Sequence, residues 1–173
     1  APRVAGGCAG VGPAGWGSVA RPVPRVGRRA AAVWTGDPQR SATASDEWPG
    51  ARVVPDLDAL LAVDCLDLVV LATPSGLHAR QAHRCIDAGM AVVVDKPLAT
   101  DATQAWGAVE AARTAGVALT VFQKRRFDAE HVAGRETVRS GEWGEGFRHQ
   151  YGWESWRTVP TDRCSETATA AYE

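Results

Sequence analysis

The middle of the chain alternates short apolar runs with segments of helical periodicity. Residues 66–72 and 90–94 are almost continuously apolar, which is typical of strands buried on both faces of a parallel sheet. Between them, residues 78–88 place apolar side chains at helical spacing, and Gly89 follows where a helix should end. Residues 117–122 form a further predicted strand. The alternation predicts a doubly wound, parallel α/β sheet with right-handed crossovers.

A second helix is predicted to follow Asp101. Asp101 and Gln104 resemble a capping box, in which polar side chains bond the free amide groups of the first helical turn. Gly116 is placed to end this helix. Its predicted apolar stripe consists of Ala105, Trp106, Val109 and Ala112.

The first 50 residues have a less regular pattern. A strand is indicated at residues 4–5, but glycine interrupts it almost at once. Residues 30–34 form a second predicted strand, and residues 52–54 form a short third one. Asp56 is placed to cap a brief helix over residues 57–63.

The pattern changes in the last third of the chain. Asp128 is predicted to cap one more helix, residues 140–144 to form a turn, and residues 147–156 to form a half-exposed strand. The apolar side chains of that strand favour association, so we expect a tendency to form a homo-oligomer. The predicted organisation is a doubly wound domain over residues 1–122 and the incomplete start of an α+β C-terminal domain over residues 123–173.

Composition excludes several classes of protein. The 173 residues carry 19 basic and 20 acidic side chains, whereas nucleic-acid-binding domains usually have a strong basic excess. No apolar run approaches the ~18 residues of a membrane span, and no signal-peptide pattern opens the chain. A soluble, cytoplasmic protein is therefore expected. The four cysteines form no C-x-x-C pair, so we predict free thiols and no metal site.

A glycine cluster near the start of the chain is the first candidate for binding chemistry. Gly10, Gly12 and Gly15 match the pattern G-x-G-x-x-G, whose backbone amides can hold a pyrophosphate at the N-terminus of a helix. The offset set of Gly12, Gly15 and Gly17 is about as plausible, because glycine is frequent in this segment. The match indicates a dinucleotide site, and an irregular glycine-rich segment is the alternative.

The end of the second predicted strand bears on the choice of cofactor. Thr35 lies 20 residues after Gly15, where Rossmann domains that prefer NAD usually carry an acidic residue for the ribose 2′-OH. Arg40 lies nearby, and a hydroxyl with an arginine suits a 2′-phosphate better than a carboxylate does. The pattern favours NADP slightly over NAD. Asp37 is expected mainly to begin a turn with Pro38.

Asp95, Lys96 and Pro97 follow a buried strand directly. A lysine at such a strand end can donate a charge-assisted hydrogen bond to a substrate oxygen. The proline fixes the turn and is a candidate for a cis peptide bond. An ordinary solvated lysine is the alternative.

Three motifs follow one another along the chain. They are A-T-P-S-G-L-H at residues 72–78, D-K-P-L-A at residues 95–99 and Q-K-R-R-F-D at residues 123–128. Together they resemble the A-T-P-x-x-x-H, E-K-P and Q-N-R-R-F segments of the Gfo/Idh/MocA family of NAD(P)-dependent oxidoreductases. The resemblance covers residues 50–157 well and residues 1–49 loosely. Asp95 and Lys124 depart from the Glu and Asn of the family motifs.

The resemblance implies roles for individual residues. Lys96 would be the catalytic lysine, which polarises the substrate carbonyl or hydroxyl during hydride transfer to or from nicotinamide. His78 would contact the cofactor, and a structural role at the start of a helix is the alternative for this residue. The implied cofactor contacts, beyond the glycines and the residues near the second strand, are Thr73, Pro74, His78, Asp95 and Pro97.

The resemblance also implies the activity: hydride transfer between NAD(P) and a sugar- or polyol-like substrate. Family members carry an Asp-x-x-x-His pair in their C-terminal domain, whose histidine acts as general acid and base, and this chain reaches Glu173 without one. We therefore expect a truncated or degenerate member that is inactive alone. A non-catalytic dinucleotide-binding module is the alternative. An adenosylmethionine-dependent methyltransferase ranks lower, because it gives the D-K-P motif no role.

Overall fold

The computed structural model describes residues 5–9 and 29–145 except residue 65, with side chains from residue 30 onward. In this part of the chain, the strands are β1 (Ala5–Ala9), β2 (Arg29–Trp34), β3 (Arg52–Val54), β4 (Leu68–Leu71), β5 (Ala91–Asp95) and β6 (Leu119–Phe122). The helices are α1 (Pro38–Glu47), α2 (Leu57–Leu61), α3 (His78–Asp87), α4 (Ala102–Ala115) and α5 (Ala129–Ser140). Short 3₁₀ turns lie at Ser75–Leu77 and Lys124–Phe127. The glycine cluster and the strand predicted at residues 147–156 lie outside the described residues.

The strands form one parallel sheet in the order β3-β2-β1-β4-β5-β6. From β1 the chain proceeds outward to β3 on one side, and then returns to place β4 on the other side of β1. This is the strand order of Rossmann domains, with the reversal at the first strand. The predicted doubly wound, parallel α/β fold is therefore confirmed.

Helices cover both faces of the sheet. The evidence is that neighbouring residues of one strand belong to different apolar clusters. Val69 and Leu71 of β4 belong to a cluster that also contains residues of α2, α3 and α4. Val70, between them, belongs to a second cluster with Ala44 of α1. Burial on both faces explains why β4 is apolar at every position.

Most predicted helix ends coincide with the observed ones. The Asp56 carboxylate caps α2 by accepting a hydrogen bond from the amide of Ala59 at 2.7 Å. Asp101 caps α4 in the same way, accepting from the amide of Gln104 at 2.9 Å. Gly116 ends α4 at a φ of 68°, in the left-handed region that favours glycine.

The interruption predicted for the first strand is wrong. β1 continues through Gly6 and Gly7 and pairs with both β2 and β4. A strand with a partner on each side is held by backbone hydrogen bonds along both edges, so low strand propensity does not end it. The register with β2 shifts between Gly6 and Gly7.

Helix α1 was not predicted, because only a turn is indicated at its start. Asp37 is the N-cap of this helix, and its carboxylate accepts from the amides of Gln39 at 2.9 Å and Arg40 at 3.4 Å. Ala44 is the buried residue of α1, so the helix has no apolar stripe that periodicity would detect.

The apolar stripe predicted for α4 is wrong in part. Its buried residues are Ala108 and Ala112, whereas Trp106 is 68% exposed and Val109 is 39% exposed. Small side chains allow a helix to approach its neighbours closely, and the bulky tryptophan is left outside.

The chain divides into two compact units, one of which contains the sheet and extends to Phe122. The other begins at Gln123, and its described residues form a 3₁₀ turn and α5. Asp128 is the N-cap of α5, but its carboxylate pairs with Arg125 at 3.4 Å and caps no amide. The assignment of residues 123–173 to the incomplete start of an α+β C-terminal domain stays a prediction. Within the described residues, no helix is long and apolar enough to cross a membrane.

Candidate functional site

The carboxyl ends of three strands carry most of the predicted site residues. Because every strand pair is parallel, these ends lie along the same edge of the sheet. Thr35 follows β2, Thr73 comes two residues after β4, and Asp95 ends β5 with Lys96 next. β1 lies between β2 and β4, and this topology binds ligands in the crevice outside the carboxyl end of that central strand. The predicted glycines that follow β1 lie outside the described residues; they are Gly10, Gly12 and Gly15.

At the end of β2, Asp37 connects the two predicted site residues Thr35 and Arg40. Thr35 is buried, and its hydroxyl oxygen accepts a hydrogen bond from the amide of Asp37 at 3.3 Å. The Asp37 carboxylate also pairs with Nε of Arg40 at 3.2 Å. An anion bound at this end of the sheet would therefore meet the Arg40 guanidinium with one carboxylate already beside it.

At the end of β4, the chain passes through a 3₁₀ turn into α3. The Thr73 hydroxyl donates a hydrogen bond to Oε1 of Gln81 at 2.5 Å, and Gln81 is buried. Pro74 is exposed, so its ring offers an apolar surface at this edge. The Thr73 side chain is therefore held by Gln81, whereas Pro74 is open to solvent.

His78, the first residue of α3, lies behind this edge. Its side chain is among the largest fully buried ones, at 1% exposure. Nδ1 lies 2.7 Å from the carbonyl oxygen of Pro97, and Nε2 lies 2.8 Å from the carbonyl oxygen of Thr73. Both ring nitrogens therefore contact the backbone, which favours the structural alternative over direct contact with a cofactor.

At the end of β5, the structure presents a charged pair of neighbours. Asp95 is half-buried, and its carboxylate accepts a hydrogen bond from the amide of Lys96 at 2.9 Å. Lys96 itself is exposed. The Lys96–Pro97 peptide bond is cis. A cationic side chain thus stands at the carboxyl edge of the sheet, on the strand next to β4.

The chemistry of these groups fits a nicotinamide dinucleotide. The Thr35 hydroxyl and the Asp95 carboxylate are groups that bond ribose hydroxyls. Pro74 can pack against a flat ring, and Lys96 adds a cation near the same strand ends. All of them lie along the edge where the strand order reverses, which is the dinucleotide site of this topology.

Two further features of the described residues concern metal ligands and free thiols. No group of three His, Cys, Asp or Glu residues there could hold a metal ion. Cys85 is a free thiol in the core of α3, and its burial raises the pKa to about 11. At neutral pH it is therefore protonated and unsuited to act as a nucleophile.

The fold and this edge together define an α/β domain of the dinucleotide-binding class. The model of the Gfo/Idh/MocA proteins, described as an oxidoreductase family with an NAD-binding Rossmann fold, matches residues 5–123. The chain belongs to this family, and the resemblance seen in its sequence motifs is confirmed.

Similar proteins include two inositol dehydrogenases and a dehydrogenase of known structure. The chain is 40% identical to an inositol 2-dehydrogenase of Rhodococcus erythropolis over 56% of this chain and 28% of that protein. It is 34% identical to the scyllo-inositol 2-dehydrogenase (NADP(+)) IolW of Bacillus subtilis, over 55% of this chain and 26% of that protein. The structure of the WlbA dehydrogenase from Bordetella pertussis, in complex with NADH and UDP-GlcNAcA, has a TM-score of 0.73 and 29% identity. That match covers 82% of this chain and 41% of the other. The chain thus spans less than half the length of each.

Gln81 belongs to the site's surroundings and was not predicted. The sequence does contain a signal for it. Gln81 is three residues after His78, and the apolar residue Cys85 is seven residues after it, so all three lie on one face of α3. Two polar residues, His78 and Gln81, therefore lie on the apolar face of this helix. A polar side chain at such a position must find a hydrogen-bond partner inside the protein.

Proposed function

We propose that this chain binds NADP(H) or NAD(H) at the carboxyl edge of its sheet and contributes Lys96 to hydride transfer. The observation that carries the proposal is the position of Lys96, exposed at the end of β5 on the edge where the topology binds a dinucleotide. The substrate is proposed to be sugar-like or a polyol, because the relatives are named as inositol dehydrogenases and WlbA was solved with a nucleotide sugar.

The proposed role of Lys96 is to stabilise charge on the substrate. A nicotinamide cofactor held at this edge would supply or accept the hydride. The Lys96 ammonium group donates a hydrogen bond to the substrate oxygen that changes between carbonyl and hydroxyl. That oxygen becomes more negative as a carbonyl is reduced, so a cation beside it lowers the barrier. The general acid or base is not assigned to a residue of this chain, which contains no Asp-x-x-x-His pair.

The remaining predicted residues are proposed to hold the cofactor. Asp95 bonds the ribose on the nicotinamide side, and Thr73, Pro74 and Pro97 line the space beside the ring. The pyrophosphate is proposed to lie against the glycine segment that follows β1, where G-x-G-x-x-G loops bind it. Its members are Gly10, Gly12 and Gly15.

For the choice of cofactor, we infer a preference for NADP. Thr35 occupies the position at which a carboxylate would repel a 2′-phosphate. Arg40 is engaged by Asp37 through Nε, which leaves the two terminal amino groups of the guanidinium to bond a phosphate. The Asp37 carboxylate lies close enough to offset part of this attraction, so the inferred preference is moderate.

The binding proposal predicts that NADPH fluorescence changes saturably when the chain is titrated into it. We expect NADH to bind as well, but more weakly. The titration should be repeated with ATP as a competitor. Complete displacement of NADPH by ATP would indicate a site that recognises only an adenine nucleotide. Absence of saturation at millimolar concentrations would contradict the proposal.

The inferred cofactor preference is tested by Thr35→Asp. The new carboxylate should repel the 2′-phosphate of NADPH and bond the 2′-OH of NADH, because hydrogen bonds to charged groups are among the stronger ones. We expect the ratio of the two dissociation constants to change about 10- to 100-fold towards NADH. Thr43→Asp, on the exposed face of α1, is the matched control and should leave the ratio unchanged. An equal change in both variants would contradict a role for Thr35.

A further inference from the structure

A buried side chain connects the ends of β4 and β5. The His78 ring is within hydrogen-bond distance of two backbone carbonyl oxygens, those of Thr73 after β4 and Pro97 after β5. Pro97 is 19 residues from His78 along the chain and directly follows Lys96. The ring therefore spans the gap between the segment that carries Thr73 and the turn that carries Lys96.

A second buried contact holds the same segment. The Thr73 hydroxyl donates to Oε1 of Gln81, one turn further along α3. His78 and Gln81 are two of the three buried polar side chains in the described residues. Both lie on α3, and both contact Thr73. The first two turns of α3 thus hold the end of β4, while His78 alone of this pair also reaches the end of β5.

The chemistry of the His78 position favours a specific link over simple space filling. An apolar side chain of similar volume would offer no hydrogen-bond donor to the carbonyl oxygens of Thr73 and Pro97. Buried polar groups without a partner are costly. Imidazole has a nitrogen on each side of a rigid ring: the neutral ring donates to one of the two carbonyl oxygens, and the protonated ring donates to both. Its flat geometry fixes the separation of the two strand ends.

We propose that His78 is a positioning residue that sets the place of Lys96 relative to the bound nicotinamide. It acts through the Pro97 carbonyl and makes no contact with cofactor or substrate. This inference rests on the proposed function, because the place of Lys96 matters only if the cofactor binds at this edge. The effect is expected on the lysine itself, since small displacements of a reacting group strongly lower catalytic efficiency.

The test measures how well bound NADPH protects Lys96 from acetylation. The chain contains two lysines, so acetylated Lys96 is readily identified by peptide mass spectrometry. The variants are His78→Gln and His78→Asn, each of which has one donor nitrogen in place of the two nitrogens of the ring and so can reach only one of the two carbonyls. Ile86→Val is the matched control, because Ile86 is buried on α3 with no polar partner to lose. Thermal unfolding and the NADPH dissociation constant are measured for each.

We expect NADPH to slow acetylation of Lys96 in the wild type and in Ile86→Val. In both His78 variants we expect this protection to be lost although NADPH still binds. In a protein that spans the full length of the relatives, the same variants should lower kcat about 10- to 100-fold. Protection that persists in either folded His78 variant would overturn the positioning role alone. Lack of protection in the wild type with NADPH bound would overturn the proposed place of Lys96, and this inference with it.

Discussion

Replacing Lys96 with alanine is expected to lower kcat about 100- to 1,000-fold, the usual cost of removing one donor that stabilises a developing oxyanion. The measurement is the rate of NADPH formation with polyols of the proposed substrate class, in a protein that spans the full length of the relatives. The exposed position of Lys96 at the end of β5 means that its side chain supports no core packing. NADPH affinity and thermal stability should therefore be nearly unchanged.

Arg113→Ala is the matched control for the loss of a positive charge. Arg113 is exposed near the C-terminal end of α4, where it pairs with Glu110. The end of a crossover helix lies at the amino edge of a parallel sheet, opposite the proposed site. We expect full turnover in this variant. A Lys96→Ala enzyme that turns over as fast as the control would exclude Lys96 from the mechanism.

The second large effect is expected in the core beneath the site. Leu71, the last residue of β4, is fully buried in the cluster that joins the sheet to α2, α3 and α4. Leu71→Ala removes a large part of its side chain and leaves a cavity, so the free energy of unfolding should fall by about 2–5 kcal/mol. Chemical denaturation followed by circular dichroism measures this change.

Val109→Ala serves as the comparison for the core prediction. Val109 is 39% exposed on α4, so its truncation should change the free energy of unfolding by no more than about 0.5 kcal/mol. NADPH binding by Leu71→Ala should persist wherever the variant remains folded, because the side chain faces the core. If both substitutions had the same small effect, the packing described for β4 would be incorrect.

The centre of the sheet could be predicted because β4 is buried on both faces. Such strands are apolar at every position, as in β4, and no other common element of that length has this pattern. The first strand was missed in part because glycines weaken the side-chain signal, while backbone pairing on both edges maintains the strand. Helix α1 was missed because its one buried residue, Ala44, creates no periodicity.

Packing between helices was less predictable than their positions. Periodicity placed Trp106 with the apolar residues of α4, although the buried face consists of alanines. Sequence alone gives the hydrophobicity of a side chain, whereas the space between two helices decides whether a large ring fits. The alanine face and the exposed tryptophan are therefore findings of the structure.

The candidate site shows the same division. Lys96 and Asp95 were predictable, because residues that follow a buried parallel strand reach the edge where ligands bind. The link from His78 to Pro97 was not, because it joins residues 19 positions apart through one side chain and one carbonyl oxygen. The polar residues on the apolar face of α3 indicate that they have hydrogen-bond partners inside the protein, but only the folded structure shows which residues these are.

The most direct test of this account is a crystal structure of the chain with NADPH. We predict the pyrophosphate at the segment that follows β1, and the nicotinamide ring beside Asp95 and Lys96. The His78 ring should remain between the carbonyls of Thr73 and Pro97, behind the ligand. A dinucleotide bound at another face of the sheet, or a nicotinamide ring out of reach of Lys96, would contradict the account.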